Sequence, residues 1–448
     1  MIRPPRCFVT DSPGARATAA AVSRRGLLAS GLAAGAALAL PGCSVTGNTH
    51  AGGKGSGSGT LHPLFIQQAG YSADNVRAMT AAFEKAHPDI NVVPTFVTYE
   101  ALHDKIVTAA AAGTYDVVVI DCIWPSEFAT KQIATDLTSR FPGSWRKETL
   151  GGALGTAEYR GKYYGVPWGM DTKFFYANKA MLAKAGVDTK SLDAWDGVLE
   201  AARKVKAKGV VKYPLAWSWT QAEALMCDYA QLVGAFGGNF TDSSGNLILN
   251  KGGAVTALEW MRKTVSDGLT NPASTTFLEG DVERTMNNGQ AAMCLNWTYY
   301  LASSNDAKNS VVVGDIAIQR TPAGPGGKRP GVNGSMALSI SSGSKNQDAA
   351  WTYVKWMAGE DQVDPYAAGA LPIWAQSYHK PSVTRGAPET FAVAAEQLDD
   401  LIARPQVANY NGVSKAIQAE LQKALLGMKS PQAALDDAVK TATPLLTS

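Results

Sequence analysis

Two kinds of hydrophobic pattern alternate along residues 61–121. LHPLFIQQ (61–68) is an apolar run of strand length. In SADNVRAMTAAFEKAHP (72–88) Val76, Met79 and Phe83 fall on one face, Ser72 or Asp74 stands at a capping position, and Pro88 stops the run. That pattern predicts an amphipathic helix. INVVPTFVTY (90–99) is the next strand and ALHDKIVTAAAAGTY (101–115) the next helix. DVVVID (116–121) is continuously apolar and ends in a carboxylate. Such a run suits a parallel strand covered on both faces. Strands and helices alternating at these lengths predict an α/β architecture.

The middle of the chain is more helical. KAMLAKAG (179–186), AWDGVLEAARKVKAKG (194–209), TQAEALMCDYAQLVGAFGG (220–238) and AVTALEWMRKTVSDGL (254–269) carry helical periodicity and mostly end at glycine. VERTMNNGQAAMCLNW (282–297) runs from a helix into a short strand, and SVVVGDIAIQ (310–319) is strand-like. A strand and turn at 335–344 lead into a helix at 347–359. Three helical segments close the chain, near 389–403, 412–427 and 431–441. There is no internal repeat.

At 448 residues the chain exceeds one ordinary core and implies two or three domains. The formal charge of +3 comes from its beginning. Residues 1–42 hold Arg3, Arg6, Arg16, Arg24 and Arg25 against Asp11, and the remainder carries 36 basic and 37 acidic residues. No basic surface is left to argue for nucleic acid. Arg24-Arg25 precede GLLASGLAAGAALAL (26–40), an apolar run of 15 residues. That is shorter than the ~20 a membrane span needs and fits the core of an export signal. SVTGNTHAGGKGSGSG (44–59) has the composition of a flexible tether. Of five cysteines, Cys122, Cys227 and Cys294 remain in the body of the chain with no metal-ligand spacing. One disulfide or three small buried thiols both fit them.

No GxSxG elbow, HExxH or P-loop occurs, and His50, His62, His87, His103 and His379 form no ligand spacing. Catalysis is therefore not expected, and neither a metal nor a cofactor is called for. The eleven tryptophans are more informative. Trp124 follows DVVVID, Trp168 sits in GVPWGMDTKFFYAN (165–178), Trp217 and Trp219 precede a helix, Trp297 follows AAMCLN, and Trp374 lies in GALPIW. Strand ends of α/β sheets are where ligands bind. A flat ring beside Asp, Asn, Glu or Arg matches a sugar, which has apolar faces and a hydroxyl rim.

Several segments, taken in order, carry a resemblance. SRRGLLA (23–29) is similar to a twin-arginine signal, and LPGC (40–43) resembles a lipobox whose Cys43 would carry lipid. YYGVPWGMDTKFFYANKAMLAKAG (163–186), NNGQAAMCLNW (287–297), 322–359 and 404–438 resemble signatures of the extracellular solute-binding proteins of carbohydrate-uptake ABC transporters, the maltose-binding-protein-like family. The resemblance implies a periplasmic-binding-protein-like fold. Two α/β lobes are joined by a hinge with crossings near 174–178, 317–321 and 355–365. The implied organisation is a signal at 1–42, a lipidated tether at 43–59, lobe one at 60–175 with 320–358, and lobe two at 176–319 with 359–448. It implies ligand contacts at Gln68, Asp121, Trp124, Trp168, Asp171, Trp219, Glu223, Trp297, Asn333, Gly334 and Arg404. Trp168, Trp219 and Trp297 would stack, while Asp121, Asp171, Glu223 and Arg404 would bind hydroxyls.

The expected function is capture of a sugar or oligosaccharide by lobe closure, and delivery to the permease subunits of an ABC importer. The receptor would be a monomer, held at the outer face of the cell membrane through its lipid alone. Two other readings remain open. One keeps the fold and changes the ligand to a polyol, a phosphorylated polyol or another small solute. The other is a secreted glycoside-active enzyme.

Overall fold

The structure, a computed structural model, describes residues 58–67 and 71–447, and Cys43, Gln68 and the export signal lie outside them. The described chain forms two lobes, each built on its own sheet. In the first sheet the strand order is Thr95–Val97, Pro63–Ile66, Val117–Asp121, Met336–Ile340, Val166–Gly169. In the second it is Leu215–Ala216, Met293–Trp297, Lys173–Asn178, Ile316–Gln319.

The DVVVID run is fully buried from Val117 to Asp121. It pairs in parallel with Pro63–Ile66 on one side and antiparallel with Met336–Ile340 on the other. The expectation of a buried strand holds, in a sheet that is mixed rather than wholly parallel. The expected 90–99 strand is two short strands, Ile90–Val92 and Thr95–Val97. Pro94 stands between them, and proline has no N–H to give a ladder. Gly59–Leu61 already pairs with Ile90–Val92, so the folded part begins at the last residue assigned to the tether.

Helix Ala73–Ala86 starts at Ser72, whose hydroxyl accepts the Asn75 N–H while Asn75 caps back. Its buried face is Val76, Met79, Thr80 and Phe83. Fully burying each large apolar side chain on that face contributes about 1.5–3 kcal/mol. The chain's three cysteines in the described region are buried free thiols.

The passages between lobes differ from those expected. The first falls at 170–172, between strands Val166–Gly169 and Lys173–Asn178. FFYAN is not a hinge: strand Lys173–Asn178 is buried throughout and paired on both edges in the centre of the second sheet, which leaves it no freedom to bend. The second passage falls at 333–335, not 317–321, because Ile316–Gln319 is still an edge of the second sheet. The third falls after 371–374, past 355–365, and before helix Pro388–Gln397, which already packs against strand Ile316–Gln319 of the second sheet. Main-chain bonds Met170 N→Leu371 O (3.0 Å) and Leu150 N→Ile373 O (2.9 Å) pin 371–374 to the first lobe. Beyond helix Pro388–Gln397, Leu401–Ile402 pairs with Gly331–Val332. The second lobe's C-terminal share includes helices Tyr410–Leu425 and Pro431–Ala442, which pack against helix Gly253–Ser266.

Candidate functional site

The two sheets present their ends to one another where the first two passages run. Asp121 ends its strand opposite Met336, the first residue of its neighbour, and Met336 also pairs with Gly169. In the second sheet Trp297 ends its strand opposite Lys173, the first residue of its neighbour. This placement gathers Asp121, Asp171, Lys173, Trp297, Asn333 and Gly334 from distant parts of the sequence.

Asp171 sits in the first passage, half-buried. Its Oδ1 accepts three bonds, from Thr172 N (2.9 Å), Thr298 N (3.2 Å) and Thr298 Oγ1 (2.6 Å). Among the described residues no donor reaches Oδ2. Burial pushes its carboxyl up to about 7, against the pull of the Thr298 bonds. Burial penalises the charged form because the surroundings solvate it less than water does. The carboxylate therefore has one saturated oxygen and one open one.

Trp297 stands beside it, half-buried, with its ring nitrogen donating to Glu279 Oε1 (3.1 Å). A Cβ at position 334 would stand 2.2 Å from Trp297 Cζ3, so only glycine lets the ring lie against the hinge turn. Behind the ring is Lys173, 0 % exposed, bonded to Asp228 (2.7 Å), Ser218 (2.8 Å) and Glu279 (3.2 Å). Burial works against charge on this lysine, but Asp228 and Glu279 hold it protonated, above its usual range. Burial also pushes Asp228 up to about 6, in spite of the ammonium. Glu279 and Thr298 lie outside the segments quoted above, and Lys173, within 163–186, is not among the ligand contacts the resemblance implies; strand register and long-range packing bring the three here.

A second cluster forms around Arg404, which follows the third passage and is 3 % exposed. Its guanidinium donates to Glu223 Oε1 (2.7 Å), Asp121 Oδ1 (3.2 Å) and the Asn333 carbonyl (2.9 Å). Tyr99 donates to Asp121 Oδ2 (2.7 Å), and Tyr410 donates to Glu223. Burial, then the adjacent carboxylates, push both phenols well up, so they stay donors. Asp121, Glu223, Asn333 and Arg404, four of the sequence candidates, are thus one network.

The remaining tryptophans are packed. Trp168 is 4 % exposed, with Tyr71 and Phe65 at centroid distances of 4.5 and 5.4 Å, and its ring N–H bonds the Met357 carbonyl (3.0 Å). Trp219 is fully buried and stacked on Trp217 at 5.4 Å and 9°. Trp124 lies on Tyr99 at 6.0 Å with its ring N–H on Asn411 (3.3 Å). Of the three rings expected to stack on a ligand, only Trp297 is partly open. A cavity of about 340 Å³ opens where the passages meet, lined by Leu150, Met170, Asn333, Leu398, Leu401 and Ala403 among others. Neither Asp171 nor Trp297 lines it. Among the described residues no group of His, Cys, Asp and Glu is arranged to hold a metal, and no helix is long and apolar enough to cross a membrane.

Two α/β lobes, three passages and polar groups gathered at facing strand ends define a two-lobed binding protein. Residues 69–364 match the family model described as bacterial extracellular solute-binding protein, and the chain belongs to that family. It is 27% identical over 337 residues to a probable ABC transporter-binding protein of Deinococcus radiodurans, covering 73% of this chain and 79% of that one. It is 25% identical to the arabinooligosaccharide-binding protein of Bacillus subtilis, covering 72% and 74%. Among solved structures it resembles maltose-bound MalE3 of T. maritima, with a TM-score of 0.80, 28% identity, and coverage of 86% of this chain and 100% of that one.

Proposed function

We propose that this solute-binding protein captures a sugar or oligosaccharide between its lobes and hands it to the permease of an ABC importer. The observation that carries the reading is Asp171: a carboxylate with one oxygen fixed and one open, next to the partly exposed ring of Trp297. The fixed oxygen orients the group, and the open one accepts hydroxyl protons. The indole offers a face to the C–H side of a sugar ring. Ligand bridging both lobes favours the closed arrangement by the difference in its affinity for the two states. The relatives that bind arabinooligosaccharide and maltose support a carbohydrate. The protein acts as a binder rather than an enzyme, as a monomer. Arg24-Arg25, the apolar 26–40 run and LPGC support export and a lipid on Cys43 at the outer face of the cell membrane.

Thermal melting of the full chain against mono-, di- and oligosaccharides and polyols tests the ligand. A ligand at 100 times its dissociation constant adds ~2.7 kcal/mol to stability. One sugar raising the melt supports the reading, and silence across the panel with a folded sample contradicts it. Cys43→Ser tests the anchor: the variant should leave the membrane fraction, and retention there would remove the lipid from the picture.

A further inference from the structure

The carboxylates around Arg404 have no open oxygen. Asp121 Oδ1 takes Arg404 and the Ile123 N–H (3.2 Å), and Oδ2 takes Tyr99. Glu223 Oε1 takes Arg404 and Tyr410, and Oε2 takes Ser414 (2.6 Å) and Gln418 (3.4 Å). Asp121 belongs to the first sheet. Glu223 opens helix Glu223–Ala235, and Tyr410 and Ser414 lie on helix Tyr410–Leu425; both helices belong to the second lobe. Two more side-chain bonds cross beside them, Trp124 Nε1→Asn411 Oδ1 (3.3 Å) and Gln406 Nε2→Cys122 O (3.3 Å).

From this wiring we infer that Arg404 is an interlobe clasp: it bridges Asp121 and Glu223 to hold the lobes together without ligand. It is a positioning residue, not a ligand contact. The inference rests on the reading above that the lobes close on a solute, and concerns how that closure is set. Protein groups alone complete these bonds, so the bridge favours the closed arrangement whether or not a solute is bound. The fraction closed scales the apparent affinity. Losing the clasp therefore weakens capture with every ligand contact intact. Lysine can replace the charge but not the fork that reaches both carboxylates.

The test uses the full chain with no ligand, by small-angle X-ray scattering and amide hydrogen exchange. Arg404→Gln should enlarge the radius of gyration. Exchange at the Gly334 N–H, which bonds Asp171 O across the passages, should accelerate by on the order of a hundredfold. Arg404→Lys should fall between Gln and the parent. A folded Arg404→Gln protein with the parent's radius and exchange overturns the inference. If Arg404→Gln does not fold, Glu223→Gln, which removes the carboxylate on the second-lobe side of the bridge, decides: expansion supports the clasp and an unchanged radius overturns it. Failure of every sugar to bind would sink the proposed ligand and leave these ligand-free results standing.

Discussion

Two charged clusters meet at the junction of the lobes and are wired in opposite ways. Around Arg404 each carboxylate oxygen already has a protein donor, and Arg404 and Asp121 are each only 3 % exposed. Around Asp171 one oxygen takes three donors and the other takes none among the described residues. Saturation suits a cluster that joins parts of the protein. An open, solvent-reachable acceptor suits one that meets something from outside. Type and location alone do not separate the two: both hold acidic residues at the junction of the lobes. The partner count does.

The largest expected difference is in stability. Arg404→Met leaves Asp121 and Glu223 facing each other without a cation, and should cost about 3–5 kcal/mol in denaturant unfolding. Asp171→Asn should do the reverse. Its carboxyl has a folded value near 7, raised above the ordinary value of 3.8, so the native state holds the proton more tightly. Stability from this group is full below pH ~4 and lost as pH rises through 7. The Asn variant should thus melt above the parent at pH 8 and converge with it toward pH 4, while binding sugar less well. For the same reason the parent's sugar affinity should rise between about pH 6 and 8, because hydroxyls donate best to the ionised form. An affinity flat across that range would remove Asp171 from the ligand.

Gly334→Ala comes next. The added methyl meets Trp297, so the ring or the turn must move, costing about 1–3 kcal/mol and shifting the fluorescence of Trp297. The smallest effect is expected at the exposed Glu200–Lys204 pair, where Lys204→Ala should leave melting and binding unchanged within error.

Much of the fold was legible in the sequence because it rests on local pattern. The Ser72 cap, the Val76–Met79–Phe83 face and the buried DVVVID run each follow from residues within a few positions of one another. The hinge was not legible. FFYAN looks the same whether a strand joins lobes or lies inside one, and only its pairing on both edges settles that. The tryptophans divided for a related reason. A tryptophan at a strand end can face the junction, as Trp297 does, or turn inward onto Trp217, as Trp219 does, and the sequence does not state the direction. Arg404 was named from a resemblance, but its partners lie 181 and 283 positions away. Lys173 and Glu279 were missed outright: a lysine opening a strand ordinarily reads as solvent-facing, and its burial beside Asp228 depends on tertiary packing.

The most direct measurement is titration calorimetry of the parent and Asp171→Asn with the sugar that raises the melting temperature most, at pH 8. Loss of the open carboxylate should weaken binding by roughly tenfold or more, the scale of one charge-assisted hydrogen bond, in a variant that melts no lower than the parent. Equal affinity in the two proteins would contradict the placement of the ligand at Asp171 and return the search to the rest of the junction.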